Sequence, residues 1–188
     1  MMICMTAVEP ASGAGFTLDN CIIRIAGGDK EALAQLYEQT RPAVYGFALS
    51  ILKNTQDAED TLHDAYLQVW NAAAQYRSHG KAMAWLLTIV RNLALDRLRQ
   101  KKHTEPLAWE DWQTQFAGNP AVSAEDRMAL AALLTALEDQ ERQIVTLHAL
   151  TGLKHREIAA LLGLPLPTVL SKYSRALKKM RLAWKEAD

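Results

Sequence analysis

The side chains in this chain best suited to chemistry are cations, and they are clustered. Residues 91–103 carry Arg91, Arg97, Arg99, Lys101 and Lys102 against a single acid, Asp96. Residues 154–185 carry eight Lys/Arg against Glu157 alone. Between them, residues 104–126 hold five acids and neither Lys nor Arg. The formal net charge is +0, but phosphate binding depends on local clusters of cations, not on the sum. Two basic helical stretches on either side of an acidic spacer imply two separate contacts with a polyanion.

The C-terminal cluster follows a pattern with a geometric meaning. Glu157-Ile-Ala-Ala-Leu-Leu-Gly-Leu-Pro-Leu-Pro-Thr-Val reads as a helix–turn–helix. Ala159 is small where two helices must approach closely, and Gly163 can take the positive φ that ends a helix sharply. Leu164 and Val169 would pin the second helix against Ile158 and Leu162, and Pro167 suits its first turn. Such a helix presents its first side chains to base edges in the major groove and leaves its cations for phosphates. The candidate contacts are Pro167, Thr168, Leu170, Ser171, Lys172, Ser174, Arg175, Lys178 and Lys179. The plainer reading is a helical hairpin with a solvated basic face. The joint presence of Ala159, Gly163, Val169 and a basic second helix favours DNA.

The earlier cluster ends a different kind of helix. In Trp85-Leu-Leu-Thr-Ile-Val-Arg-Asn-Leu-Ala-Leu-Asp-Arg-Leu-Arg-Gln-Lys-Lys, Arg91 and Asn92 sit beside the apolar face and the basic tail follows. With Tyr76, Arg77, Ser78, His79 and Lys81 in the preceding loop, these groups could hold a single strand or a flipped base. An ordinary amphipathic helix with snorkelling cations explains the pattern equally well. Asp57-Ala-Glu-Asp-Thr-Leu-His-Asp-Ala-Tyr-Leu-Gln-Val-Trp is too acidic for nucleic acid. It is either a solvated face or the mate of a basic protein surface.

Other chemistry has little support. Cys4 and Cys21 make no disulfide framework, and no CxxC or HxxxH pair exists for a metal. A reducing, cytosolic setting is expected. No phosphate loop or nucleophile–base arrangement is evident, so neither an enzyme nor a cofactor is expected. Residues 82–90, the longest near-apolar run, are too few to span a bilayer. The first residues lack the basic flank and long apolar core of a targeting segment.

Positioning these groups requires an all-α fold. A short helix is expected over 19–26, stopping at Gly27-Gly28, with Asp29 capping the next. Ala32, Leu33, Leu36 and Tyr37 give that helix a buried stripe. Pro42 marks a break or a first turn, and 44–52 resumes the pattern. Residues 57–73 are the clearest amphipathic helix, on Ala58, Leu62, Ala65, Tyr66, Val69 and Ala73. A long helix over 82–103 is apolar first and basic last, which also suits its dipole. Helical periodicity returns over 128–137, 139–150, 154–162 and 167–184. The organisation expected is a disordered arm (1–18), a first helical domain (19–103), a flexible acidic linker (104–125) and a helix–turn–helix domain (126–186).

Together these segments resemble the extracytoplasmic-function (group 4) sigma factors of bacterial RNA polymerase, in family order over about residues 19–185. Asp57-Ala-Glu-Asp…Tyr-Leu-x-Val-Trp looks like the family's core-polymerase-binding helix. Trp85-Leu-x-x-Ile-x-Arg-Asn-x-x-x-Asp-x-Leu-Arg looks like the helix that opens and reads the −10 element. Leu137…Glu141-Arg142 and the helix–turn–helix look like the −35-reading domain. The resemblance implies that Asp57, Glu59, Asp60, His63, Asp64 and Gln68 meet core polymerase. It implies −10 contacts from Arg77, Ser78, His79, Lys81, Arg91, Asn92, Arg97, Arg99, Lys101 and Lys102, and −35 contacts from the recognition-helix residues named above. It also implies promoter-specific initiation, a cytoplasmic location and an anti-sigma partner that could hold the chain at the membrane.

The match has departures. His63 stands where the family usually has Gln, Lys154 where a Ser/Thr cap is usual, and Glu138 where Pro is common. Val169-Leu-Ser-Lys replaces the usual Val-Lys/Arg-Ser-Arg. Leu170 can touch a thymine methyl but cannot hydrogen-bond a base. A stand-alone helix–turn–helix regulator and a helical adaptor are the rivals; copurification with core polymerase and salt-dependent DNA binding by residues 126–188 separate them. A tether of twenty residues reaches at most about 66 Å, enough for sites about 50 Å apart.

Overall fold

The computed structural model describes residues 17–77, 80–100 and 133–186. Residues 1–16, Ser78, His79, Lys101, Lys102 and the linker lie outside the described residues; Thr17 and Leu18, expected in the arm, instead cap and begin the first helix, the Thr17 hydroxyl accepting from the Asn20 N–H at 3.1 Å. Every element within them is helical: α1 (Leu18–Ala26), α2 (Lys30–Leu52), α3 (Thr55–Ala72), a 3₁₀ turn (Ala73–Gln75), α4 (Ala82–Gln100), α5 (Asp139–Thr151), α6 (His155–Leu162) and α7 (Leu166–Glu186).

Local chemistry sets most boundaries. The Asp29 carboxylate accepts from the backbone N–H groups of Glu31 and Ala32 at 2.9 and 3.0 Å, so it caps α2 as expected. Asn54 does the same for α3 through the Asp57 N–H. Gly163, at φ +68°, ends α6 in the left-handed region where a side chain would be strained. Its own N–H and that of Leu164 turn back onto Ala160 and Ala159.

Pro42 breaks nothing, contrary to expectation: α2 runs through it for 23 residues. The carbonyl that loses a donor belongs to Glu38, which faces solvent, where water can replace the missing N–H. The following residues Ala43, Val44, Phe47 and Ala48 are buried. Apolar burial of a side chain as large as Phe47 contributes about 1.5–3 kcal/mol, comparable to the ~3 kcal/mol that an interior proline costs.

The long α2 is the centre of the molecule. It packs against α1, α3 and α4, and its second half also packs against α5. Phe47, Leu49 and Leu52 of α2 therefore share one buried cluster with Ile22, Leu86 and Leu87 on one side and Ile144 and Leu147 on the other. Where α2 ends, Lys53 takes φ +53° and its Nζ pairs with Asp139 Oδ2 at 2.6 Å. The α5–α6–α7 unit thus sits on the back of α2, and α6 also touches α4.

Candidate nucleic-acid and partner interfaces

The acidic helix presents a rim rather than a uniform patch. Glu59, His63 and Gln68 are exposed, and Asp60 and Asp64 are half-buried. Asp57 is buried at the first turn, so its carboxyl is not on the open face. Leu67 is 65 % exposed in line with Asp60, His63 and Asp64, an apolar group ringed by polar ones. The sequence reading passed over it, although an apolar residue off the buried stripe is the signal that finds it.

Asp60 and Asp64 are also tied to α4. Arg97 donates to Asp60 Oδ2 at 3.4 Å and, more closely, to Asp64 Oδ2. Asp60 Oδ1 accepts from Gln56 Nε2 at 3.1 Å. Arg97 was expected on the −10 side and the two acids on the polymerase side. Helix packing joins the three.

The loop ahead of α4 is anchored at both ends. Tyr76 Oη donates to Asp19 Oδ1 at 2.5 Å, and the Gly80 N–H donates to the same oxygen at 3.2 Å. The Tyr76 ring lies 5.0 Å from that of Trp85. Arg77 and Lys81 are exposed beside this anchor, and so is Asn92 on α4. Arg91 instead lines a groove with Ile51, Leu95, Gln140, Gln143, Leu162 and Leu164. Arg99 pairs with Asp96 one turn back at 2.8 Å.

In the helix–turn–helix, Ile158 and Ala159 of α6 and Val169 and Ala176 of α7 are buried. Pro167, Ser171, Ser174, Arg175 and Lys178 are exposed, and Thr168 and Lys172 are half-buried. Leu170 is 47 % exposed, so it does not pack back into the domain. The missing Ser/Thr cap at Lys154 is made good in part: the Glu157 carboxylate accepts from the Lys154 N–H at 2.8 Å.

Two charged residues of the expected −35 surface lean on a buried acid. Glu141 is fully buried; its Oε2 accepts from the Glu138 N–H at 3.2 Å and from Lys179 Nζ at 2.8 Å. Arg175 Nε stands 4.0 Å from Oε1. Burial pushes the carboxyl up, but the Lys179 bond, the Glu138 N–H and both cations outweigh it and hold it below the ordinary value. Arg142 clamps the approach to α5, donating to the Leu134 and Leu137 carbonyls at 2.8 and 2.6 Å. A ring cluster of His148, His155 and Tyr173 joins α5, α6 and α7, with centroids 4.6–5.1 Å apart. No spacing rule flagged these residues, which come from three helices. Among the described residues, no group of His, Cys, Asp and Glu is placed to hold a metal.

The described architecture is a bundle of four helices on which a second helical unit, ending in a helix–turn–helix, is packed. Residues 36–104 match the family model for Sigma-70 region 2, and residues 127–180 match that for Sigma-70, region 4. The ECF RNA polymerase sigma factor SigK of Mycobacterium tuberculosis (strain ATCC 25618 / H37Rv) is 33% identical over 171 residues, 87% of this chain and 91% of its own length. SigK of Mycobacterium ulcerans is 31% identical over 170 residues, covering 86% and 91%. Among solved structures, CnrH in complex with the cytosolic domain of CnrY aligns with a TM-score of 0.60 and 25% identity, over 90% of this chain and 97% of that one. The sigma factor RpoE in complex with the anti-sigma factor NepR from Bartonella quintana aligns at TM-score 0.62 and 24% identity, over 81% and 96%. The chain belongs to the extracytoplasmic-function sigma factors of the sigma-70 family. It is a promoter-specific transcription initiation factor that binds core RNA polymerase and promoter DNA, and it is not an enzyme.

Proposed function

We propose a division of labour among the surfaces. The α3 rim of Glu59, Asp60, His63, Asp64 and Gln68, with Leu67, docks on a basic region of core polymerase, and Asp57 supports it from the first turn. Arg77, Ser78, His79, Lys81 and Asn92 capture the −10 strand. Arg91, Arg97, Arg99, Lys101 and Lys102 follow its phosphates. Pro167, Thr168, Leu170, Ser171, Ser174 and Arg175 face −35 base edges, while Lys172, Lys178 and Lys179 hold the backbone. The unit boundaries are 19–103 and 126–186, with 104–125 as the tether. No helix among the described residues is long and apolar enough to cross a membrane. We place the chain in the cytoplasm, held by a cognate anti-sigma factor until released.

The observation that carries this reading is the sorting of exposed charge: acids line α3, and exposed cations line α7 and the loop before α4. Run-off transcription with core polymerase on a promoter library tests the whole. For the docking face, Asp60→Arg sets like charges against the partner. It is expected to weaken core binding at least tenfold by fluorescence titration, with helicity intact by circular dichroism. Unchanged affinity removes α3 from the interface.

A further inference from the structure

Asp60 and Asp64 lie one turn apart on α3, where like charges repel. The guanidinium of Arg97 bridges them from α4. It is 25 % exposed, against 46 % and 47 % for the two acids, so the cation lies on the inner side of the pair. The second oxygen of Asp60 is already taken by Gln56. Two consequences follow from this geometry. A partner's cation that docks on these acids meets carboxylates whose inner oxygens are occupied. Arg97, in turn, has both Nη groups engaged by the acids, so a phosphate must compete with them for the guanidinium.

We infer that Arg97 is a partner-released DNA contact, held by Asp60 and Asp64 in the free chain and freed for the nucleic-acid backbone when a basic surface docks on that pair. The inference rests on the proposed docking role of α3. It makes polymerase binding and DNA binding reciprocal, because whatever binds the acids unmasks the cation, and a phosphate that binds the cation unmasks the acids. The arrangement suits Arg rather than Lys, since a planar guanidinium spans two carboxylates at once.

A double-mutant cycle on the full chain tests it, read by fluorescence anisotropy with a labelled, mixed-sequence single-stranded oligonucleotide. Asp60→Asn with Asp64→Asn is expected to tighten binding by about three- to tenfold, the scale of two partly exposed ion pairs. In an Arg97→Gln background the same pair of changes is expected to give little gain. Equal gains in both backgrounds overturn the inference, because simple relief of acid–phosphate repulsion explains them. In a second arm, Arg97→Gln is expected to tighten binding to core polymerase by about three- to tenfold. Weakened core binding there also overturns it, since Arg97 would then be orienting the acids for docking. Thermal melts by circular dichroism confirm that each variant folds. The oligonucleotide arm contains no polymerase, so its outcome is separable from that of Asp60→Arg, which tests the docking face itself.

Discussion

At the scale of single residues, exposure turns an ambiguity into a test. Leu170 was equally compatible with a groove contact and with packing into the domain; at 47 % exposed, it is available to the groove. Leu170→Arg is expected to tighten DNA binding overall and to shift preference towards guanine at one −35 position, because Arg can pair with guanine N7 and O6 where Leu can only touch a methyl. Selection on randomised −35 DNA with both variants checks it; uniform tightening with unchanged preference means Leu170 carries no sequence information. His155 offers a second residue-level test. Burial and then the adjacent His148 push its imidazole below the ordinary 6.5, so the folded state favours the neutral ring. The unfolded chain then binds the proton better, and stability falls as pH drops below about 6.5. The wild-type melting temperature is expected to fall further than that of His155→Gln between about pH 7.5 and pH 5.5.

At the scale of elements, Glu141 ties α5 to α7. It pairs with Lys179 and faces Arg175, so the acid both ties the unit together and occupies cations proposed above for DNA. Glu141→Ala is expected to cost about 1–3 kcal/mol, the range for leaving partners of a buried polar group unmade. The same change is expected to raise affinity for −35 duplex, since both cations are released to phosphates. Denaturant melts and salt-dependent anisotropy read the two effects separately. A stability loss with no gain in DNA affinity would make Lys179 a structural cation only. The buried acid also gives a pH signature. With its folded value held below 4.5, its contribution is intact above that pH and is lost as pH falls through the lower folded value.

At the scale of the whole molecule, the two units share a core. The α5 helix packs on α2, α6 touches α4, and Lys53 pairs with Asp139 across the seam. Promoter elements one and a half duplex turns apart lie about 50 Å from each other, and under the division of labour proposed above we expect a chain that reads both to part α6 from α4. The proposed tether, taken as twenty residues, would reach about 66 Å if fully extended. Lys53→Glu sets two acids face to face, and a pair this exposed is worth about 0.2–1 kcal/mol. The expected outcome is a few-fold larger open population, seen as a larger radius of gyration by small-angle scattering and diminished at high salt. An unchanged radius would show that the apolar seam alone sets the closed arrangement.

The sequence by itself determined what depends on neighbours along the chain. The Asp29 cap, the α3 stripe and the Gly163 turn all follow from spacing within one or two helical turns, where backbone geometry fixes which side chains meet. The order of acidic, basic and helix–turn–helix segments was legible for the same reason. Tertiary structure decided everything that needs two helices to cross. Pro42 stays inside α2 because a buried face outweighs one lost hydrogen bond. Arg97 meets Asp60 and Asp64 across 37 and 33 residues, and Lys179 meets Glu141 across 38. Periodicity says which face of a helix is buried but not which helix covers it. A long cation's partner is therefore set by crossing angle and register, which sequence separation does not encode.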